Sequence, residues 1–544
     1  MRKIVSLLLI LLPLTSIALT GCTRKKFGDD TFVINVSTEP PTLDWNKSED
    51  TTSSLCINNL MDGLVSFDWE SNGIGVKPAL AESWTISPDS TVYTFKLRKD
   101  VKWTDGKPLT AQQFVDSWAR LVDPKTASPY AYFIFSVKNA QAINSGKLST
   151  SELGVKALDD STFQVTLEKP ASYFPFIGTH PPTFPIRKDI IDKYGESWTD
   201  PKNITTLGPF KLSEWVHEKK IVFERNDDYW GEKPKIKTMI GQMITEASTA
   251  ISLFETGALD FTQEIPALDL ERVRKDPKLK QSLREGPFFA NYYYGFNTKK
   301  PPFDNINVRK AFSAAINRQE LLNVIRRDYY PITSWIPIGM MGYQPDIGIK
   351  FDPEKAKQYM KDAGYVQKNG KWVKAADGTP LPTIGIGFNT NEMHSIVAEN
   401  LQNQWRKNLG VEPELRNEEW KVYLKTLKND TPQLYRLGWV ADYPDPDNFM
   451  ALWYSWSEQN NTGWKNPEFD KLVQKAAAEM DKDVRKALYD KAQRIMLEDD
   501  VPFIPLFTNK QYFLLKPYIS GYTINPMQQW RFSEVAVERG NKKN

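Results

Sequence analysis

Hydrophobic residues in this 544-residue chain change period repeatedly, from two residues to about 3.6 and back, and that alternation limits the fold more than any single motif. Phe32-Val33-Ile34-Asn35-Val36 reads as a buried strand, ended by Glu39-Pro40-Pro41, where two prolines remove the donors a ladder needs. Tyr93 to Arg98 alternates apolar and polar side chains as a half-buried strand, and Thr104-Asp105-Gly106-Lys107 is a turn in which glycine supplies a positive φ. Thr110 and Gln113 form a capping box, and the helix behind them sets Phe114 and Trp118 one turn apart on a core face. Phe163 to Leu167, closed by Pro170, and Ile221 to Phe223 are further strands. Later, Ile396, Val397, Leu401, Trp405 and Leu409 fall at helical spacing before Gly410, which suits the left-handed position past a helix end; Val411 to Leu415 is expected to resume as strand. A longer helical pattern runs from Phe469 to Ile495 with a break near Asp481-Lys482-Asp483. Strands alternating with helices predict α/β units rather than a bundle or sandwich, with a ligand where the units meet.

The N-terminus sets the compartment. Arg2 and Lys3 precede an apolar run from Ile4 to Ala18, broken by Pro13 and ending in Leu19-Thr20-Gly21-Cys22. The run is shorter than the roughly 20 residues a spanning helix needs, so residues 1–21 read as a signal peptide. The tetrapeptide resembles a bacterial lipobox, which makes Cys22 the lipid-bearing first residue of the mature protein; an ordinary secretory signal is the alternative. Acylation of Cys22 leaves Cys56 without a partner, so the fold is expected to be held by its core and not by a disulfide.

The side-chain inventory excludes several chemistries. Seventy basic and 67 acidic residues are interleaved and leave a net charge of +3, which offers nucleic acid no basic patch. His180, His217 and His394 stand far apart, without ligands at zinc spacing. Asp442, Asp445 and Asp447 form an acidic cluster of the kind calcium binds, but Pro444 and Pro446 break the loop pattern that would hold it. No phosphate loop, nucleophile elbow or paired-histidine motif occurs, although a glycosidase carboxylate pair could hide among the acidic residues. No catalytic residue, metal or cofactor is therefore assigned, and the chain is not read as an enzyme. The 17 Trp, 22 Tyr and 28 Phe residues suit either a binding cleft or a Trp-rich core.

Several blocks together resemble the extracytoplasmic solute-binding proteins of bacterial oligopeptide and dipeptide uptake systems. They are Leu80-Ala81-Glu82-Ser83-Trp84, the stretch from Tyr93 through Trp103-Thr104-Asp105-Gly106-Lys107-Pro108-Leu109 to Ala111, Leu207-Gly208-Pro209-Phe210, Asn291 to Tyr294, Val308 to Phe312, and Gly438-Trp439-Val440-Ala441-Asp442-Tyr443. The resemblance implies an α/β, periplasmic-binding-protein-like fold: a two-lobed hinged cleft with an additional third lobe. Residues 22–61, 189–288 and 511–544 would form lobe I, 62–188 the extra lobe and 289–510 lobe II. The implied function is a lipid-anchored receptor outside the inner membrane that binds short peptides and delivers them to an ABC permease, acting as a monomer.

The resemblance also implies site residues. Asp442 would hold the α-ammonium of a peptide, so that a ligand cation completes a buried ion pair. Arg436 could meet the C-terminal carboxylate bidentately, or serve as an interlobe salt bridge, and His394 matches a second carboxylate position. Trp420 and Trp439 match side-chain pocket aromatics, Tyr130 and Tyr293 match tyrosines facing the ligand, Gly438 lies in the Asp442 block, and Glu49 corresponds loosely to a pocket carboxylate. Extended peptides would pair through their backbone with strand edges at the hinge. Two departures stand out: Val440 and Ala290 replace a disulfide found in some members, and Leu427 replaces an arginine that meets short peptides in some relatives. Metal chelates, haem, sugars or signalling peptides on the same scaffold, or an envelope hydrolase, remain as alternatives.

Overall fold

The computed structural model describes residues 27–69, 75–171, 173–266, 268–479 and 481–540. The signal peptide and Cys22 lie outside the described residues. Thr31–Asn35 forms the first strand, with Phe32, Val33 and Ile34 fully buried. It is buried because it runs inside an 11-stranded mixed sheet, in parallel register with Thr238–Gln242 on one side and Phe261–Thr262 on the other. Across the sheet the order is Glu414–Glu418, Gly385–Asn389, Leu434–Val440, Leu283–Phe296, Phe503–Leu515, Phe261–Thr262, Thr31–Asn35, Thr238–Gln242, Lys220–Arg225 and Phe210–Val216, with Tyr330–Pro331 pairing to Phe503–Leu515 off this path.

Two long strands carry the sheet from one half of the molecule to the other. In Phe503–Leu515, Ile504, Leu506 and Phe507 pack with Tyr292, Val397 and Trp405, whereas Phe513 and Leu515 pack with Phe32, Phe261 and Trp530. Its antiparallel partner Leu283–Phe296 pairs through Pro287, loses register, resumes at Asn291 opposite Thr508 and slips again after Tyr292. In the gap the Phe289 N–H donates to the Pro526 carbonyl, and the Phe289 carbonyl accepts from Ala441 N. An interrupted two-strand crossing between separate cores is where two halves can pivot with the smallest loss of pairing.

A separate four-stranded antiparallel sheet joins Ala81–Ile86, Val92–Leu97, Thr162–Thr166 and Val155–Asp159. The helix Ala111–Val122 begins at the Thr110/Gln113 capping box and lays Phe114 and Trp118 against Phe163, with ring centroids 5.4 and 5.3 Å apart. In the second half, Asn391 caps the helix Glu392–Leu409, which ends at Gly410 with φ of 68°. The following strand is Glu414–Glu418, not Val411 to Leu415: Pro413 has no N–H to give the ladder, and pairing with Gly385–Asn389 starts one residue later. The long pattern after Phe469 is two helices, Pro467–Ala478 and Lys482–Arg494, the second capped by Asp481. Trp45, Trp103, Trp118, Trp335, Trp405, Trp453 and Trp530 are fully buried, so much of the tryptophan is core. Cys56 is a buried free thiol, pushed up in pKa by that burial.

Gly208 shows how tightly the first half is assembled. Its N–H donates to the Leu60 carbonyl at 2.8 Å, and a Cβ there would stand 2.4–2.6 Å from backbone atoms of Leu60 and Met61. Gly208→Ala is expected to cost at least the roughly 1–3 kcal/mol of overpacking, because backbone must move. Calorimetry should show a thermal midpoint lowered by several degrees; an unchanged midpoint would refute the close approach.

Candidate functional site

The strand Leu434–Val440 positions the site. On one side it pairs continuously with Leu283–Phe296, from Leu434 opposite Phe296 to Val440 opposite Ala290. That register sets Val440 directly across from Ala290, in keeping with the pairing that the resemblance implies for these two positions. On its other side it pairs with Gly385–Asn389 only at Leu434 and Tyr435. Arg436 to Val440 therefore keep an open edge among the described strands, and all five residues line a cavity of about 960 Å³ between the two halves of the molecule. The Arg436 carbonyl already points away from the paired side, where it accepts from Tyr423 Oη at 2.8 Å. The two-residue period then turns the backbone groups of Gly438 and Val440 the same way.

Asp442 stands at one end of this edge, and its carboxylate is buried. The short helix Pro446–Met450, capped by Asp445, brings Asn448 back under it. Asn448 Nδ2 donates to Asp442 Oδ2 at 3.1 Å, while Asn448 Oδ1 accepts from Asp442 N at 3.0 Å and from Trp439 Nε1 at 2.9 Å. From the opposite half, Tyr130 Oη lies 3.4 Å from both carboxylate oxygens and His180 Nε2 lies 3.2 Å from Oδ1. Burial pushes the Asp442 carboxyl up to about 7, opposed by the hydrogen bonds from Asn448 and Tyr130. Burial pushes His180 down to about 3. Asp445 is occupied by Arg485 at 2.6 Å and Asp447 by Tyr443 Oη at 2.9 Å, so the aspartate triplet builds a turn around Asp442 and is not a shared cation site. Among the described residues no group of side chains is arranged to hold a metal ion.

Arg436 marks the other end. Its guanidinium lies over the Tyr292 ring at 4.5 Å, Nη1 donates to Asn389 Oδ1 at 3.1 Å, and Nε is buried without a partner. It makes no interlobe salt bridge among the described residues, unlike one of the two roles the sequence allowed it. His394 is buried rather than solvated at its helix start; its Nδ1 meets Tyr292 Oη at 3.1 Å, and burial followed by Arg436 holds it well below its ordinary pKa.

All nine ligand-binding residues named from sequence line the one cavity: Asp442, Arg436, His394, Trp439, Trp420, Tyr130, Tyr293, Gly438 and Glu49. They differ in how they do so. Trp439 is half-buried and stacks at 6.3 Å on Tyr130 across the cleft, and Trp420 opens the helix Trp420–Asn429 beside it. Tyr293 is mainly core, packed edge-on against Trp335, Trp453 and Phe503. Glu49 crosses the cleft mouth to Lys428 at 3.4 Å and accepts from Gln459 Nε2 at 3.3 Å. With Asn391 donating to Glu264 at 2.8 Å and Ser248 Oγ to Glu392 at 2.8 Å, these contacts hold the two halves closed. The sequence reading missed His180 and Asn448 as neighbours of Asp442. The turn signal Asp445-Pro446 was available for Asn448, whereas nothing in the sequence links His180 to a residue 262 positions later.

A mixed α/β fold with a closed cleft between two halves, spanned by two long strands and lined by aromatic, charged and backbone groups, defines a solute-binding protein. A family profile described as bacterial extracellular solute-binding proteins, family 5 Middle, matches residues 75–461, and the chain belongs to that family. It is 35% identical over 508 residues to the periplasmic oligopeptide-binding protein OppA of Salmonella typhimurium, covering 91% of this chain and 90% of the relative. It is 33% identical over 515 residues to the probable deoxycholate-binding periplasmic protein YgiS of Escherichia coli, covering 92% of each. Among solved structures it is similar to Haemophilus influenzae OppA in complex with RPPGFSPFR, with a TM-score of 0.86, 32% identity and coverage of 93% of this chain and 99% of the other.

Burial of Asp442 has a consequence for the empty protein. An unfolded aspartate titrates near 3.8, so between about pH 4 and pH 7 the folded carboxyl keeps a proton that the unfolded chain has released. Its contribution to stability therefore falls as pH rises through that window and is flat above it, by a few kcal/mol at about 1.4 kcal/mol per pKa unit. Asp442→Asn should have a higher thermal midpoint than the parent protein at pH 8, with the difference closing toward pH 4. A pH-independent difference between the two would refute the buried titration.

Proposed function

We propose that this protein is a receptor for short peptides with a free N-terminus, which it hands to the transmembrane subunits of an ABC permease. The observation that carries the reading is an open strand edge, Arg436 to Val440, running between a buried carboxylate and a half-buried guanidinium, neither of which is held in a salt bridge to a lysine, arginine or carboxylate among the described residues. An extended peptide satisfies all three at once. Its backbone pairs with the edge whatever its sequence, its ammonium completes the Asp442 site, and its carboxylate meets Arg436. Lined pockets with room for water tolerate different side chains. Peptide binding by the relatives named above supports the same reading. In this reading residues 22–61, 189–288 and 511–544, residues 62–188, and residues 289–510 are the three lobes, and closure presents a surface that spans the two halves to the permease.

The similarity to a probable deoxycholate-binding protein favours a second reading, an amphipathic anion. Such a ligand would use Arg436 but leave Asp442 buried without a cation, which costs binding energy. Thermal-shift and calorimetric titration with peptides of differing length and with deoxycholate separates the two. Free-amine peptides should stabilise the protein and N-acetylated ones should not; Asp442→Ala should weaken binding by a factor of tens to thousands, from the roughly 2–5 kcal/mol of a broken buried pair. Arg436→Ala should weaken peptides with a free carboxylate and leave C-amidated ones unchanged, most clearly at the length that reaches both ends. Stabilisation by deoxycholate alone would replace the peptide reading.

We further propose that Cys22 carries the lipid that tethers the protein outside the inner membrane. Among the described residues no helix is long and apolar enough to cross a membrane, and two or three acyl chains are enough for stable tethering. Expressed with its signal, the protein should partition with detergent and show an acylated N-terminal peptide by mass spectrometry. Cys22→Ser should be released to the aqueous phase, and a parent protein found unacylated would overturn the proposal.

A further inference from the structure

We propose that His180 is a specificity-determining residue of the amine end: a neutral imidazole that donates Nε2–H to Asp442 and so solvates the carboxylate without cancelling its charge. The geometry supplies the proton assignment. His180 is buried, its Nε2 lies 3.2 Å from Asp442 Oδ1, and its Nδ1 is buried without any partner. A neutral ring carries one N–H. If that proton sat on Nδ1 it would be an orphaned buried donor, and an imidazolium would carry the same orphan plus a desolvated charge; only the Nε2–H form leaves nothing worse than a bare lone pair. Burial, which holds the ring far below its ordinary pKa, acts in the same direction.

The other groups around Asp442 obey the same rule. From the segment before the 3-10 turn Ala131–Ile134 comes the Tyr130 hydroxyl, and from the turn itself comes Tyr132, whose own phenol the Asp442 charge pushes up further after burial has done so. From the helix Pro446–Met450 come the Asn448 amide and, beyond it, Asp447, which Tyr443 occupies. Glu49 lies beyond Tyr130 with Lys428 as its partner. Among the described residues no lysine or arginine pairs with Asp442. When ionised, the carboxylate thus receives three neutral donors, Tyr130 Oη–H, His180 Nε2–H and Asn448 Nδ2–H, none of which cancels its charge, so that neutralisation is left to the ligand. A cationic residue in place of His180 would satisfy the charge internally and abolish the preference for an amine. The Tyr130 and Phe133 rings, at centroid distances of 5.2 and 4.9 Å, fix the imidazole so that Nε2 faces Asp442.

The ligand part of this inference rests on the peptide reading; the protonation part does not, and the test separates them. The chain has three histidines, so selective 15N-histidine labelling gives a spectrum that variants can assign. In the empty protein at about pH 8 to pH 9, where Asp442 is ionised, His180 should be the neutral Nε2–H tautomer; an Nδ1–H tautomer or an imidazolium there would overturn the proposal. In binding, His180→Phe keeps a ring between Tyr130 and Phe133 but removes the donor. It should weaken a free-amine peptide roughly 10- to 100-fold near pH 7, as expected for losing a hydrogen bond to a charged group. It should also move the pH of half-maximal binding upward, because less support for the ionised form raises the Asp442 pKa. His180→Gln, which can donate from a similar reach, should recover most of both effects, and residual binding of the N-acetylated peptide should be the same in all three proteins. If the parent protein binds free-amine peptides and His180→Phe leaves affinity and pH profile unchanged, the assignment is wrong. If the parent protein binds no peptide, the peptide reading fails, and the tautomer alone decides the protonation claim.

Discussion

The site depends on a largely buried carboxyl group at the wall of the cleft that no lysine or arginine among the described residues neutralises. A charge in that position is costly, and around Asp442 the cost is limited by neutral hydrogen bonds rather than removed by an ion pair. Those hydrogen bonds dictate local architecture: the Asp445-capped helix that returns Asn448, the prolines that follow His180, and the aromatic rings that hold Tyr130 and His180 in place. The donors come from both halves of the molecule, so the site is complete only when the cleft is closed. Tyr130 and His180 reach Asp442 from across the cleft, so the electrostatic environment of the carboxyl depends on how the two halves are placed.

The long strands Leu283–Phe296 and Phe503–Leu515 make that coupling possible. Phe503–Leu515 contributes side chains to cores in both halves, Leu283–Phe296 packs Leu283 at one end and Tyr292, Tyr294 and Phe296 at the other, and their mutual ladder is broken between Pro287 and Asn291, next to the open edge of Leu434–Val440. A bulged crossing is where two halves can pivot with little loss of pairing, and the open edge belongs to a strand paired on one side of it. Contacts at the cleft mouth, Glu49 with Lys428 and Glu264 with Asn391, are few and polar, so they define closure without making it irreversible.

Much of the fold could be read from local pattern because local physics dictates it. The capping box at Thr110, the left-handed glycine at Gly410 and the buried strand beginning near Phe32 each follow from a few neighbouring residues. The strand after Gly410 was displaced because proline's missing donor at 413 acts through a ladder partner that the sequence alone does not reveal. The residues of the cleft were legible through resemblance of whole blocks, which is why all nine converge on one cavity, but their roles were not equally legible. Tyr293 turned out to be largely core and His394 buried, because burial depends on what packs from elsewhere in the chain.

The sequence by itself determined the alternation of strands and helices and the Gly438 to Tyr443 block that carries the key carboxylate, since these rest on periodicity, composition and short-range steric preference. Only the tertiary structure decided that Asp442 is buried, that its donors are neutral, and that among the described residues Arg436 makes no salt bridge and the strand between them keeps a free edge. Each of these is a property of groups tens to hundreds of residues apart, and electrostatic environment is set by distance in space, which local sequence does not encode.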